Sequence, residues 1–388
     1  MRYMTETALS ALSGSRVGER LRAHIWYDGQ VVAPDVDLTD WQVTSDGSRQ
    51  VRTQTSLTVA DPDGVLAPWG VDDPLGVGGA RVQLIYEIGG GESVDLGFFR
   101  ITGSDPAENW TLRNGSVWVS GGATVPVQAD DLTAIAVADR LLSAQSPKTG
   151  ATVLGEVRRL LTGIMPVTVA AGVSDSAVAR TTVYERERMD AVEDLLAMID
   201  CTHRMTGDGQ LEVYPAAPAA PVWEVAGGDD GVMISVQRSQ SSSALYNGAV
   251  AIGATPDGRQ LIARSFEEAG PLRWEGPHWR RPYFQDSSGI LTTQAAVDAA
   301  ARSVLARQLR GRTVDLMVTC LPHPGLQAGD SVVVVSPTVT GSDVELVGIV
   351  RALSLRGSAA GVSPMTMTVE CSYEAVQTVA TAIREESR

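Results

Sequence analysis

Between Arg20 and Val125 the chain breaks into short β-favouring runs separated by turn-forming clusters, and no other feature limits its folding options as much. Leu21–Tyr27, Val51–Val59, Val82–Ile88, Gly97–Ile101 and Val117–Val119 are the runs, and Asp28-Gly29, Asp46-Gly47 and Asp63-Gly64 fall where the chain must reverse. Asp-Gly pairs supply the positive φ that tight hairpins need. Even spacing of short strands predicts an antiparallel barrel or sandwich.

The period then changes. Leu132, Ile135, Ala136, Ala138, Leu141 and Leu142 recur at helical spacing, as do Val153, Val157, Leu160, Leu161 and Ile164, which predicts two amphipathic helices. A third is expected over Glu187–Ile199, with Met189, Val192, Leu195, Leu196 and Ile199 on one stripe. A hairpin should follow it, Thr202–Met205 and Gln210–Tyr214 around Thr206-Gly207-Asp208-Gly209. Pro215 to Pro221, with a proline every third residue, reads as a stiff connector.

Strand character returns at Val232–Val236 and Tyr246–Ile252, a long helix is predicted over Thr292–Arg310, and four more runs follow: Thr313–Thr319, Ser331–Val335, Val344–Leu355 and Met365–Cys371. The fold class expected is therefore β-rich α+β, two antiparallel barrel-like units flanking a mixed α/β middle. The ranges are 1–125, 126–231 (ending with the Pro-Ala connector) and 232–388, the last carrying the long helix. At 388 residues several cores are expected, since single cores stop growing at roughly 250–300 residues.

Charge narrows the function. With 46 acidic against 31 basic residues the chain carries a formal −15, the wrong sign for affinity built on phosphate neutralisation. Only Lys148 among the basic residues is a lysine, a trace of GC-rich codons. Cys201, Cys320 and Cys371 are odd in number and lack any Cys-x-x-Cys pair, so neither a disulfide framework nor a zinc site is indicated and free buried thiols are expected. Met1–Arg22 holds no apolar core of signal-peptide length and no run is long enough to cross a membrane, so assembly in a cytoplasm without membrane insertion is expected.

Catalytic patterns are missing as well. His24, His203, His278 and His323 are scattered, without the helical His-Glu-His spacing of a zinc site. Cys201 and His203 share a strand face but have no evident third partner. Neither a nucleophile elbow nor a phosphate-binding glycine loop occurs. Asp35-Val36-Asp37 and Asp61-Pro62-Asp63-Gly64 lack the later Gly and Glu of a calcium loop and read as turns. Carboxylate pairs for glycoside cleavage cannot be picked out among so many acidic residues. No cofactor is expected.

One segment departs from this background. Trp274 to Phe284 places four aromatics in eleven residues of a chain that is 5% aromatic. Trp and Arg carry much of the binding energy at interfaces, so Trp274, His278, Trp279, Arg280, Arg281, Tyr283 and Phe284 form a candidate subunit-contact loop. The alternative is an aromatic loop packed on its own domain.

Three groups of residues carry a resemblance. Thr55–Gly64 with Asp73-Pro74-Leu75 and Leu96–Ile101, then Glu185–Tyr214, then Leu245–Val250 with Pro324–Val332, are similar in order and spacing to the tail hub family of phage baseplates, including minor tail proteins of phages of GC-rich Gram-positive hosts. The resemblance implies a homotrimer at the virion's tail tip, whose two barrel-like units per subunit match a sixfold tube to a threefold tip around the DNA ejection channel. Implied partners are distal tail or tube proteins, tail-tip or spike proteins and the tape measure. DNA would pass through the lumen unbound. Two other readings remain open at this stage, a tail-associated cell-wall hydrolase and a receptor- or carbohydrate-binding tip protein.

Overall fold

A computed structural model describes all residues except 13–17, 90, 116, 229–230, 240, 243–244, 256, 287–290, 338–342 and 387–388. By packing, the chain forms two compact units, neither of them one consecutive range. Unit 1 is Met1–Val236, Val318–Ser336 and Val347–Val369; unit 2 is Gln237–Met317, Pro337–Leu346 and Glu370–Arg388.

Unit 1 opens with helix α1 (Glu6–Leu12) and eight strands: β1 (Arg20–Tyr27), β2 (Gln30–Ala33), β3 (Leu38–Asp46), β4 (Thr53–Asp61), β5 (Arg81–Gly89), β6 (Glu92–Ser104), β7 (Ala107–Arg113) and β8 (Val117–Asp131). Burial alternates strictly along β4, with Thr53, Thr55, Leu57, Val59 and Asp61 inward, the period-two pattern of a sheet with one dry face. Asp61 ends that strand as a turn organiser. Its carboxylate accepts the amides of Val65, Leu66 and Ala67 at 3.0, 2.8 and 2.9 Å, which is the turn role read from sequence.

The mixed segment follows: α2 (Thr133–Ala138), α3 (Val153–Leu160), β9 (Val167–Val169), α4 (Arg188–Ala197), β10 (Cys201–Met205) and β11 (Leu211–Pro215). Thr152 caps α3 by accepting the Gly155 amide, satisfying one of the open donors of a first turn. Met189, Val192, Leu195 and Leu196 of α4 are buried against Val153, Val157, Leu160 and Leu161 of the α3 region. Each such aliphatic side chain is worth about 1.5–3 kcal/mol on burial. The β10–β11 hairpin pairs from Met205↔Leu211 to Cys201↔Pro215. The first helix is shorter than its spacing predicts. After Ala138 the Leu141 amide bonds to the Arg186 carbonyl at 2.9 Å and Gln145 bridges Tyr184, so tertiary pairing takes residues that a helix would have used.

Beyond the Pro-Ala stretch come β12 (Trp223–Ala226) and β13 (Met233–Ser239); then, in unit 2, β14 (Gly248–Ala254), β15 (Gln260–Phe266), β16 (Pro282–Asp286) and α5 (Gln294–Arg310). The rest is β17 (Thr313–Cys320), β18 (Ser331–Pro337), β19 (Asp343–Ser358), β20 (Gly361–Val362), β21 (Met365–Ser372) and α6 (Tyr373–Glu386). Neither β12 nor α6 is expected from the sequence. The fold is β-rich α+β.

Within unit 1 the early and late strands belong to one sheet. Its order places β19 beside β3, β3 beside β4, and β4 beside β8. The junction is antiparallel, running from Ala352↔Asp46 to Ser358↔Asp40. Gly357 is required there, because a Cβ would lie 2.6 Å from the Trp41 ring.

Candidate functional site

Cys201 and His203, the residue pair closest to a nucleophile and its base, lie buried on one face of β10. They border a cavity of about 410 Å³ lined also by Arg52, Glu193 and Thr202. Burial raises the Cys201 thiol pKa, the reverse of nucleophile activation. Burial likewise lowers the His203 pKa, while its Nε2 faces Glu193 Oε1 at 3.4 Å. Arg52 reaches the His203 carbonyl and donates to Thr202 Oγ1 at 2.5 Å. The cluster ties β10 to the chain before β4, and this is a structural task. Among the described residues no group of three or more His, Cys, Asp or Glu is placed to hold a metal ion.

The Gly329-Asp330 turn is a second structural node of unit 1. Asp330 accepts the Gln327 amide at 2.9 Å and Arg204 Nη1 at 3.0 Å, and meets the N-terminal ammonium. Arg204 also binds Glu212 at 2.6 Å, and Arg2 donates to the carbonyls of Pro324 and Leu326 at 3.2 Å. Gly329 has φ +93°, and a Cβ on it would run into Tyr214 Oη.

The aromatic segment lies in unit 2, and its seven candidate residues do not act alike. Asn247, fully buried, holds it by both ends of its amide: Nδ2 donates to the Trp279 carbonyl at 2.6 Å and Oδ1 accepts the Arg281 amide at 2.8 Å. His278 Nε2 sits 2.9 Å from the Leu245 carbonyl. Trp274 stacks on Phe266, centroids 4.2 Å apart, directly over Gly248, where a Cβ would lie 2.6 Å from the indole. Tyr283 packs inward near Ala249 and Leu305 and meets Tyr246 edge-on. Arg281 lies over Tyr246 at 5.9 Å, and Arg280 pairs with Glu275 and lies 5.4 Å over Trp279. Trp279 and Phe284 are left 63% and 64% exposed. The loop is thus pinned by Asn247 and Trp274, and the pinning presents two large aromatics to solvent.

Phe284 does not stand alone. In the sheet β15–β14–β16 it pairs with Val250, which pairs on the other side with Arg264; Ile252 pairs with Ile262. Alternation puts these on the face away from α5, whose Val297, Ala301, Val304 and Leu305 pack on Ala249, Ala251, Leu261 and Ala263. A one-sided helix covering leaves the Ile262 and Phe284 side open.

In unit 1 a groove of about 950 Å³ runs along α4 past Leu141–Ala144 and Thr182–Glu187. Its charged lining is Glu185, Glu187, Asp190 and Asp194 against Arg186 alone. Leu142, Val183 and Met198 are exposed on it. Sequence reasoning missed this groove, because Leu142 fits a helical stripe that the chain does not form.

No family model and no curated protein matches the sequence. Solved structures do. A tail protein from Neisseria meningitidis MC58 is 13% identical, the match covering 90% of this chain and 96% of that one at TM-score 0.59. The 43 kDa tail protein of prophage MuSo2 from Shewanella oneidensis is 12% identical, over 90% and 98%, with TM-score 0.59. A type VI secretion component from E. coli, itself similar in structure to the T4 tail proteins gp27 and gp5, is 11% identical over 89% and 76% at TM-score 0.51. At such identities the likeness establishes the fold, which is that of phage tail and tail-like proteins. Nothing in these neighbours supports the expectation of a GC-rich Gram-positive host.

Proposed function

We propose that this chain is a structural tail hub (minor tail) protein, forming a homotrimeric ring at the distal end of a phage or phage-like tail. The observation that carries this reading is a fold shared with two tail proteins over nine tenths of the chain. The reading requires two barrel-like β-sets per chain, so that three chains supply a ring of six. In this role the protein adapts a sixfold tube to a threefold tip, contacts distal tail, tape-measure and spike proteins, and surrounds the DNA channel. Its formal −15 suits a lumen past which phosphates slide without binding.

Light scattering on the purified chain tests the reading, together with electron microscopy of the assembled particle. A trimer with a central channel at the tail's distal end is expected. A chain that stays monomeric, or one found away from the tail axis, would remove the reading.

A further inference from the structure

A second cavity of unit 1 lies where the β1–β2 turn meets the loop before β5. It holds about 520 Å³, within the range of about 300–1,000 Å³ usual for small-molecule sites. Trp26 and Phe98 line it and meet edge-on, centroids 5.6 Å apart and planes at 72°. The Trp26 indole is held, because its Nε1 donates to Gln83 Oε1 at 3.2 Å while Gln83 Nε2 donates to Asp95 at 2.9 Å. Asp28 and Arg81 also line the cavity, both exposed and without a hydrogen bond or ion pair from their side chains to another described residue. The Asp28-Gly29 turn has positive φ at both residues, +46° and +75°, the two-residue hairpin geometry that brings Asp28 to this edge. Arg81 is placed there by its pairing with Trp26.

We propose that this cavity is a binding site for a neutral saccharide. The inference goes beyond the ring reading and does not rest on it. A sugar ring has a face of C–H bonds and a rim of hydroxyls. The weakly positive C–H face is attracted to the negative face of an aromatic ring, which Trp26 supplies. Each hydroxyl both donates and accepts, so the rim needs an acceptor and a donor, and Asp28 and Arg81 are one of each. Other ligand classes fit less well. An apolar molecule would strip water from both charges without replacing their hydrogen bonds. An anion gains from Arg81 and is repelled by Asp28, and a cation meets the reverse. Arg100, the next cross-strand neighbour of Arg81, itself faces Asp130 on β8 and leaves that balance in place.

The adjoining loop extends the aromatic surface. Gly78, which lines the cavity, donates its amide to the Val71 carbonyl at 2.6 Å. Asp73 accepts the amides of Trp69 and Gly70 at 2.7 and 2.6 Å. The backbone of Trp69 is thereby fixed while its side chain is 88% exposed. A pre-organised loop loses little entropy on binding, and its indole offers a further stacking plane to a chain longer than one ring.

The test titrates the full chain by isothermal calorimetry with N-acetylglucosamine trimer, cellotriose and maltotriose. Choline, inorganic phosphate and phosphocholine serve as charged probes. Saturable binding of at least one sugar is expected, weakened about tenfold or more by Asp28→Asn, by Arg81→Gln and by Trp26→Ala, with circular dichroism unchanged. Asn tolerates positive φ, so Asp28→Asn removes the charge and keeps the turn. No sugar bound up to about 10 mM, or a charged probe bound more tightly than every sugar, overturns the inference. So does sugar binding that survives undiminished in both polar variants, or that is lost instead in Trp279→Ala. None of these outcomes bears on the ring reading.

Discussion

Gly329→Ala isolates the role of the Gly-Asp turn. At φ +93° an alanine is strained by about 1 kcal/mol or more. Its methyl would also collide with Tyr214 Oη and lie 3.1 Å from Cζ, an overpacking that costs about 1–3 kcal/mol. Together these predict destabilisation of about 2–4 kcal/mol. Tyr214→Phe alone should cost about 1 kcal/mol, because the hydroxyl accepts a 3.3 Å bond from Arg52 Nη1, which keeps Thr202 Oγ1 as another partner. In the double variant the oxygen is gone and only the ring carbon remains to yield by a few tenths of an ångström. The two substitutions should therefore couple favourably by about 1–2 kcal/mol. Urea unfolding followed by circular dichroism measures all four corners of the cycle. Coupling below about 0.5 kcal/mol would refute the claim that β11 packs against this turn through that hydroxyl.

Two further outcomes follow from the buried polar groups. The His203 pKa is held below its usual 6.5 by burial, partly opposed by Glu193 and Asp131 and assisted by Arg52. Above pH 6.5 the imidazole is neutral folded or unfolded, whereas below it the unfolded chain binds a proton that the folded one resists, so stability falls as pH drops, by up to about 1.4 kcal/mol per pH unit. His203→Asn should show a shallower loss than wild type from pH 6.5 downward in urea titrations, and equal slopes would count against the burial. Asn247→Ala should release the Trp279–Arg281 stretch, with hydrogen exchange at the Arg281 amide rising about tenfold or more while the Leu195 amide in α4 is unchanged; an unaltered Arg281 amide would mean that the loop is held by other contacts.

Much of the architecture is legible in the sequence because its signals are local. Period-two burial along β4, the apolar stripe of α4 and the Gly/Asp turn of the β10–β11 hairpin are written within ten or fifteen residues. What the sequence hides is pairing at a distance. Leu142 carries a helical stripe's spacing yet lies outside α2, since the Arg186 carbonyl captures the Leu141 amide. The four short residues Trp223–Ala226 become a strand only because β18 is there to receive them in parallel. At the aromatic loop, composition marks the segment, but only the structure separates Trp274, which packs over Gly248, from Trp279 and Phe284, which stay largely exposed. The open sheet face is invisible beforehand, because Val250, Arg264 and Phe284 become neighbours only through strand order.

The antiparallel seam between β3 and β19 has a consequence for biosynthesis. Residues 40–46 find their partners at 352–358, so a ribosome must translate more than three hundred further residues before that side of β3 is occupied. Until then the N-terminal strands present a bare row of amides and carbonyls, the kind of edge on which chains aggregate or swap. A truncated product would keep that edge for life. The same seam therefore checks that translation has passed β19, since only a chain that carries this strand conceals the edge.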